Sequence, residues 1–315
     1  MPDHPQPQKL VVLLGTNASG KSELGIRLAR HFGGEIISAD SRQVYRGLDL
    51  GSGKISPEQA RTVPHHLIDV ADVTEYYSLA QYQRAAYQAI DAIAEAGKMP
   101  LLVGGTGLYI SALVEGYELA DVPPNEPLRT ELEALSLAQL LDRLATADPE
   151  AARRIDPHNS RRLIRAIEIA TAGRTHSAMR QRQPRYHCLQ LGLCWPKDIL
   201  EQRIEQRLQD RLAHGMLEEV AGLRRRGVSD TRLEKLGLEY RYLTRHLRGE
   251  LSLDELRSQL GIAIRQFAKD QLTWFKRDRR IIWLDPTRDY FQTACDRIHE
   301  WRGASQPPQP IEETC

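Results

Sequence analysis

The sequence predicts an α/β fold in which a parallel sheet is flanked by helices, together with a helical insertion domain. Over the first hundred residues, short apolar runs alternate with helical patterns. This alternation is typical of a parallel sheet covered by helices. The composition changes near Asp121, where a segment of helical patterns without strands begins.

The first strand and helix enclose a phosphate-binding motif. Strand Leu10–Leu14 precedes a G-x-x-x-x-G-K-[ST] octapeptide, and a helix to about His31 follows it. This strand–loop–helix context is the one the motif requires, and it predicts a phosphate-loop, P-loop NTPase-like fold. Loop amides and the helix N-terminus bind phosphate oxygens, Lys21 adds a charge, and the Ser22 hydroxyl can ligate Mg²⁺. The predicted diphosphate- or polyphosphate-binding residues are Gly15, Thr16, Asn17, Ala18, Ser19, Gly20, Lys21 and Ser22.

Two further strands end in polar or glycine-rich segments. Strand Glu35–Ala39 ends at Asp40, and strand Met99–Val103 is closed by Gly104 and Gly105 after a predicted helix over Ser78–Ala96. Ligands of such sheets bind at the carboxyl ends of the strands. The segments after the three strands are therefore expected to converge on one crevice.

The remaining elements define the predicted domains. Helical patterns cover Leu128–Ala134, Leu137–Ala145 and Arg161–Thr171; strand Tyr186–Leu193 follows, then mostly helix to Arg280 and a last strand at Ile281–Asp285. We predict flexible tails at 1–8 and 303–315, a core domain at 9–120 and 186–302, and an arginine-rich insertion at 121–185.

Charge and composition narrow the class of protein. The 315 residues are 41% hydrophobic and 27% charged, with a net charge of +1. No apolar run is long enough to cross a bilayer, so we expect a cytoplasmic protein without membrane contact. Between Ala151 and Gln190, nine arginines stand against two acidic residues. This cluster fits either a solvated helix surface or contact with nucleic acid.

Three groups of residues are candidates for chemistry. Asp40 could hold Mg²⁺ or accept a proton, or it could simply cap the next helix. Thr106, among glycines, could donate a hydrogen bond in the crevice or belong to a tight turn. Arginines recur every four residues on one helix face, where a diphosphate clamp needs only one facing inward and Glu201 and Glu205 offer surface partners; they are Arg203, Arg207 and Arg211.

A series of motifs, taken together, resembles the tRNA dimethylallyltransferase family over about Leu10 to Asp285. The motifs occur in the family's order: Gly15–Ser22, Asp40–Tyr45, Gly51–Lys54, Val103–Tyr109, Asp148-Pro149 with Arg161–Glu168, and Gln266–Phe275. The resemblance implies transfer of a dimethylallyl group from dimethylallyl diphosphate to the exocyclic N6 amine of the adenosine beside the tRNA anticodon. It also implies that the adenosine is flipped into the crevice.

The resemblance also assigns roles to residues. It implies that Asp40 is the general base, that Thr106 contacts the reacting region, and that Lys21 and Arg207 bind the diphosphate, with Mg²⁺ on Ser22. The residues implied to contact tRNA are Asp40, Ser41, Arg42, Gln43, Arg161, Arg162, Leu163, Ile164 and Arg165. We expect a monomer. The chain departs from the family's common spellings at Thr16-Asn17, Ser52–Ile55, Leu236–Tyr240 and Asp270.

Three alternatives remain open. An isopentenyltransferase acting on free adenine nucleotides would share the loop and the aspartate. A phosphate-loop small-molecule kinase would bind ATP tightly and transfer its phosphoryl group. An RNA-binding protein with an inactive site would bind tRNA but ignore dimethylallyl diphosphate. The extended basic surface favours the tRNA enzyme, because a mononucleotide does not need it. The C-terminal helix over Arg265–Arg277 favours it too: polar residues such as Gln271 could meet a phosphate backbone, whereas Phe267 is expected to pack in the core.

Overall fold

The computed structural model describes residues 7–174 and 182–303, which divide into two compact units. The core unit comprises the chain up to Tyr77, Ala85–Ile110 and the chain from Arg185 onward. The second unit comprises Ser78–Arg84 and Ser111–Pro184. Residues 1–6, 175–181 and 304–315, which include most of both predicted tails, lie outside the described residues.

A parallel sheet lies at the centre of the core unit, as the sequence predicts, and it has six strands. Its strands are β1 (Gln8–Gly15), β2 (Gly34–Ala39), β3 (His65–His66), β4 (Met99–Gly104), β5 (Tyr186–Leu193) and β6 (Ile282–Leu284). Their order across the sheet is β3-β2-β4-β1-β5-β6. Val11 of the central strand pairs with Leu101 on one side and Leu189 on the other. Strand β3 escapes prediction because two residues are too short to form a pattern.

The helices extend over much of the rest of the described chain. In chain order they are α1 (Lys21–Phe32), α2 (Pro57–Thr62), α3 (Leu79–Glu95), α4 (Gly107–Val114), α5 (Glu126–Glu133), α6 (Leu137–Ala147), α7 (Pro149–Arg154), α8 (Ser160–Thr171), α9 (Lys197–Ala213), α10 (Met216–Arg225), α11 (Asp230–Lys235), α12 (Leu238–Leu247), α13 (Leu253–Phe275) and α14 (Tyr290–Gly303). The second unit contains α5–α8, and the residues of α3 and α4 are divided between the units.

Local chemistry explains where the site-bearing helices begin and end. Helix α1 lies between Gly20 (φ 89°) and Gly33 (φ 64°), two left-handed positions that favour glycine. Helix α13 begins at a capping box, in which the Ser252 hydroxyl and the Glu255 carboxylate each accept a backbone N–H of the other residue. The long predicted helical region before Arg280 is therefore five helices, α9–α13, separated by short turns.

The apolar core of the core unit surrounds the sheet. Residues Leu10–Leu14 of β1 are fully buried, and two of them, Val11 and Leu13, pack among side chains of α1, β4, β5 and α14. Burial of large aliphatic side chains contributes about 1.5–3 kcal/mol each. Because β1 is buried and pairs with a strand on each side, the loop that follows it has a fixed starting point.

The second unit has its own apolar cluster and a buried carboxylate. Leu132, Leu140 and Leu163 belong to the cluster. Glu168 accepts hydrogen bonds from Arg129 (2.8 Å) and from the Asn125 N–H (2.9 Å), and it also pairs with Arg165. Burial raises the pKa of Glu168, but the Arg129 and Asn125 hydrogen bonds outweigh it, so the pKa lies below its usual value.

None of the helices in the described part of the chain combines the length and the apolar character needed to cross a membrane.

Candidate active site

The phosphate-binding loop connects β1 to α1, in the context that its sequence predicts. Ala18 (φ 60°) and Gly20 (φ 89°) both adopt left-handed backbone conformations. The Lys21 ammonium lies back over the loop and donates to the Thr16 carbonyl at 3.1 Å. Gly15 is required by close packing, since a Cβ there would lie 2.8 Å from the Ser19 hydroxyl oxygen. The loop is therefore a compact cradle with the Lys21 charge at its centre.

The segments after β2 and β4 meet beside one another, as predicted from their strand ends. The Thr106 N–H donates to the Ala39 carbonyl at 3.1 Å, and the Thr106 hydroxyl oxygen accepts the Ser41 N–H at 3.0 Å. Gln271 of α13 joins this region to the phosphate loop: its amide oxygen accepts the Asn17 N–H at 2.9 Å and its amide nitrogen donates to the Gly105 carbonyl at 2.8 Å.

Asp40 lies at the end of β2 and orders the turn after it. Its Oδ1 accepts the N–H groups of Arg42 (2.8 Å) and Gln43 (3.4 Å). Within the described part of the chain, Oδ2 has no hydrogen-bond donor. Asp40 therefore caps the turn with one oxygen and leaves the other without a donor among the described residues, so the capping and catalytic interpretations are compatible.

The partly buried turn Ser41–Gln43 connects Asp40 to a second loop. The Gln43 amide accepts the Ser38 hydroxyl at 3.1 Å and donates to the Gly53 carbonyl at 3.3 Å. Gly53 (φ 65°) packs closely against two arginines of α9. A Cβ at this position would overlap the guanidinium groups of Arg207 and Arg211. This packing and the left-handed backbone both favour glycine at this position.

All three arginines of α9 face the site or its loops, which corrects the expectation that two of them form surface ion pairs. Arg203 donates to the Ala18 carbonyl at 2.8 Å, Arg207 donates to the Gly53 carbonyl at 3.4 Å, and Arg211 lies 3.5 Å from the Glu239 carboxylate. The expected partners pair elsewhere: Glu201 with Lys197 and Glu205 with Arg265. Three positive charges therefore gather near the phosphate loop.

These charges change one another's pKa values. Burial, together with the charges of Arg207 and Arg211, lowers the pKa of Lys21 to about 8, although the Asp40 carboxylate opposes the shift. Burial and Arg211 also lower the pKa of Arg207 to about 10. Burial raises the pKa of Glu239 despite the neighbouring Arg211. The ligand-free site thus holds an excess of positive charge that an anion would relieve.

A cavity of about 400 Å³ opens between the phosphate loop, the Gly53 loop and α9. Backbone and side chains of the phosphate loop form one wall, and arginines form another. Its lining residues include Ala18, Ser19, Gly20, Lys21, Ser22, Gly53, Lys54, Arg203 and Arg207. This volume, polarity and positive charge suit a diphosphate group.

Glu219 of α10 anchors the loop that leads to Gly53. Its carboxylate accepts three consecutive backbone N–H groups, those of Asp49 (3.0 Å), Leu50 (2.6 Å) and Gly51 (3.1 Å), as well as the Tyr240 hydroxyl (2.9 Å). Lys54, whose side chain is buried, continues the anchoring by donating to the Tyr45 carbonyl at 2.7 Å. One carboxylate therefore fixes the backbone of this wall of the cavity.

Replacing Glu219 with alanine is expected to lower the free energy of unfolding by about 2 kcal/mol, because several partly buried donors lose their acceptor together. Urea denaturation measures the change. Glu218→Ala is the matched control, since the neighbouring Glu218 is exposed and its loss should change stability by no more than about 0.5 kcal/mol. Equal effects of the two substitutions would contradict the anchoring role.

The arginine-rich segment of the second unit divides into exposed and structural residues. Arg161 and Arg162 are exposed at the start of α8. In contrast, Leu163 and Ile164 are buried in the apolar cluster, and Arg165 pairs with Glu168 and donates to the Val122 carbonyl at 2.8 Å. The buried side chains of Leu163 and Ile164 thus form core, which corrects their assignment as tRNA contacts. Arg180 of the cluster lies outside the described residues.

Several residues that support the site were not predicted from the sequence. Trp195 donates its indole N–H to the Ser19 carbonyl at 2.8 Å, and Gln271 and Glu219 hold neighbouring loops. Gln271 was expected to face a phosphate backbone, but its side chain is buried. In the same helix, Phe267 was predicted to pack in the core but is 42% exposed.

Comparison with known proteins gives matches over most of the chain. The family model described as IPP transferase matches residues 43–278. tRNA dimethylallyltransferase 1 of Geotalea daltonii is 43% identical over 304 residues, which cover 95% of this chain and 97% of the relative. tRNA dimethylallyltransferase 2 of Syntrophotalea carbinolica is 44% identical over 287 residues, with 90% and 96% covered.

Solved structures give the same result. The full-length tRNA isopentenylpyrophosphate transferase from Bacillus halodurans matches with a TM-score of 0.70 and 36% identity, covering 95% of this chain and 96% of that one. A eukaryotic dimethylallyltransferase acting on tRNA matches with a TM-score of 0.80 and 25% identity, covering 97% and 81%. The resemblance seen in the motifs is confirmed over nearly the whole length, and the chain belongs to the IPP transferase family.

Proposed function

We propose that this chain is a tRNA dimethylallyltransferase. It transfers the dimethylallyl group of dimethylallyl diphosphate to the N6 amine of the adenosine adjacent to the tRNA anticodon and releases diphosphate. Family membership supports the reaction, because the matched relatives are named tRNA dimethylallyltransferases. The observation that best supports it in the molecule is the cavity, which brings the phosphate loop and Arg207 together.

The proposed chemistry is a direct displacement at the allylic carbon. The N6 nitrogen forms a bond to that carbon as the carbon–oxygen bond to the diphosphate breaks. Positive charge spreads over the allyl unit, while negative charge collects on the leaving group. Loop N–H groups, Lys21 and Arg207 stabilise that negative charge where it develops. No covalent enzyme intermediate is required, so positioning and charge stabilisation supply most of the effect.

Asp40 is the proposed general base. Its Oδ1 is held by the turn after β2, whereas Oδ2 is available to accept the proton that N6 loses. Thr106 contributes by holding this turn: its hydroxyl oxygen accepts the Ser41 N–H, so the Asp40 segment keeps its position beside the loop. Lys21, Asp40 and Thr106 are thus proposed to act on one reacting centre.

Mg²⁺ fits the donor set of the cavity. Ser22 lines the cavity, and the residues described include no group of three or more acidic, histidine or cysteine side chains that could hold a metal. Ser22 and the oxygens of the diphosphate itself would therefore bind it, an arrangement common for Mg²⁺. When bound, the ion would help to neutralise the leaving group.

The proposed macromolecular partner is the anticodon stem-loop of tRNA. The exposed Arg161 and Arg162 supply positive charge for its backbone. The turn Ser41–Gln43 adjoins Asp40, where the flipped adenosine would enter. We further propose that the enzyme acts as a monomer in the cytoplasm.

A single assay tests the proposed function. The protein is incubated with Mg²⁺ and dimethylallyl diphosphate labelled in the allyl group, with either unmodified tRNA or free adenine nucleotides as acceptor. We expect label in tRNA at the adenosine beside the anticodon. Label in the nucleotide alone would show that free nucleotides, and not tRNA, are the acceptor. Consumption of added ATP would indicate a kinase. Binding of tRNA without labelling would indicate an inactive RNA-binding protein.

A further inference from the structure

The phosphate loop is held by two residues that lie outside its sequence motif. Trp195 follows β5 and donates its indole N–H to the Ser19 carbonyl at 2.8 Å. Arg203 of α9 donates its Nε–H to the preceding carbonyl, that of Ala18, also at 2.8 Å. Two consecutive carbonyl groups of the loop are therefore fixed by donors from a different part of the chain.

The two donors also hold each other. The Arg203 guanidinium lies 4.5 Å from the centroid of the Trp195 ring, within the range of a cation–π contact. Such a contact contributes about 0.5–1 kcal/mol at exposed positions. The Arg203 side chain is long and exposed, so stacking on the indole ring restricts the direction in which its guanidinium points. Trp195 and Arg203 act as one clamp.

Peptide geometry gives this clamp a consequence for anion binding. In a trans peptide the carbonyl and the next N–H point in opposite directions. Fixing the Ala18 carbonyl therefore fixes the Ser19 N–H, which closes the loop onto the Thr16 carbonyl at 3.3 Å. Fixing the Ser19 carbonyl in the same way directs the Gly20 N–H away from Trp195, and Gly20 lines the cavity.

Backbone conformation increases the need for such support. Ala18 has a φ of 60° although it carries a Cβ, and conformations of this kind persist only when their surroundings hold them. Ala18, Ser19 and Gly20 all line the cavity. A loop free to rotate these peptides would lose part of its set of inward N–H donors.

We propose that Trp195 and Arg203 are positioning residues, which preorganise the phosphate loop for the diphosphate of the substrate by holding the Ala18 and Ser19 carbonyls outward. The role rests on the proposed function of the loop as a diphosphate site. Arg203 also lines the cavity, so its outer guanidinium nitrogens face the same anion. Trp195 acts only through the loop and through Arg203.

Trp195→Phe tests the proposal, because phenylalanine keeps an aromatic ring for Arg203 but removes the indole donor. We expect Kd for dimethylallyl diphosphate, measured by calorimetry, and its KM to rise about 10-fold, because a loop that holds its binding conformation only about a tenth of the time binds about tenfold more weakly. The KM for tRNA should stay unchanged, and the melting temperature should fall by no more than about 4 °C, as for the loss of one hydrogen bond within the fold. Trp283→Phe, on strand β6, is the matched control and should leave diphosphate affinity unchanged.

The outcomes separate this proposal from the proposed function. If the wild-type protein binds no dimethylallyl diphosphate, the diphosphate site itself is refuted. If the wild type binds it and Trp195→Phe binds equally well, the clamp is refuted. Should Trp195→Phe fail to fold, Arg203→Lys replaces it as the test: lysine keeps the charge but has no Nε–H. We expect Arg203→Lys to weaken diphosphate binding about 10-fold, and wild-type affinity in this variant would overturn the proposal.

Discussion

Replacing Asp40 with asparagine is expected to lower kcat by about 10²- to 10⁴-fold, the usual contribution of a general base. Asparagine keeps an Oδ1 that can accept the Arg42 and Gln43 N–H groups, so the turn after β2 should remain intact. Only the ability of the second atom to take a proton is lost. Single-turnover labelling of tRNA with excess enzyme measures the chemical step directly.

Binding measurements and a second variant complete this test. Affinities for tRNA and for dimethylallyl diphosphate should stay close to those of the wild type in Asp40→Asn. Asp40→Ala removes the cap as well and should additionally destabilise the fold by about 1 kcal/mol. If Asp40→Asn turned over at the wild-type rate while Asp40→Ala did not, Asp40 would be a structural cap and the base would lie elsewhere.

The parts of the fold that could be predicted from sequence are those specified locally. The apolar run Leu10–Leu14, the glycines of the loop and the strand end at Asp40 each form a pattern within a few residues. Because parallel strands present their carboxyl ends at one edge, these local patterns were enough to predict the convergence of Asp40 and Thr106 on one region, which the Ser41–Thr106 hydrogen bond confirms.

The residues that escaped prediction act over long sequence separations. Trp195 lies 176 positions from its partner Ser19, and Gln271 lies 254 positions from Asn17. Nothing near either residue in the sequence marks it as a support for the phosphate loop. Their identification depends on the sheet order, which places β5 beside β1 and brings the segments that follow both strands together.

Helix α13 shows why an apolar side chain in a helix is not always buried. Its buried positions include Ile264, Ala268, Gln271 and Phe275, a spacing of three to four residues that defines one face. Phe267 lies one position off this face and is therefore exposed, although its side chain is apolar. Gln271 lies on the face and is buried because its amide has hydrogen-bond partners on both the Asn17 and Gly105 backbones.

Titration of Lys21 is expected to make the affinity for dimethylallyl diphosphate depend on pH. In the ligand-free protein its pKa is lowered to about 8, by burial first and by Arg207 next. A bound diphosphate places negative charge beside the ammonium and must raise that pKa again. Binding above pH 7 therefore takes up a proton, and above pH 8 the affinity for dimethylallyl diphosphate should fall by up to about tenfold per pH unit.

Folding stability is expected to follow the opposite trend. The unfolded chain holds the Lys21 proton up to its ordinary pKa of 10.5, whereas the folded, ligand-free protein releases it near pH 8. Since the unfolded state binds more protons between these values, stability should rise with pH across this window. Below it, the charged Lys21 costs the ligand-free fold about 3 kcal/mol. Lys21→Met should therefore raise the free energy of unfolding at pH 7 while lowering kcat by about 10²- to 10³-fold.

Calorimetry in buffers of different ionisation enthalpy measures the proton uptake. At pH 8 we expect about half a proton per dimethylallyl diphosphate bound. The phosphate groups ionise near pH 6, so the ligand itself should contribute little at this pH. Lys21→Arg is the matched control, because a guanidinium stays charged throughout this range and should bind without uptake. Equal uptake by Lys21→Arg and the wild type would move the linked proton to another group, and the absence of uptake in the wild type would mean that Lys21 is already fully charged in the empty site.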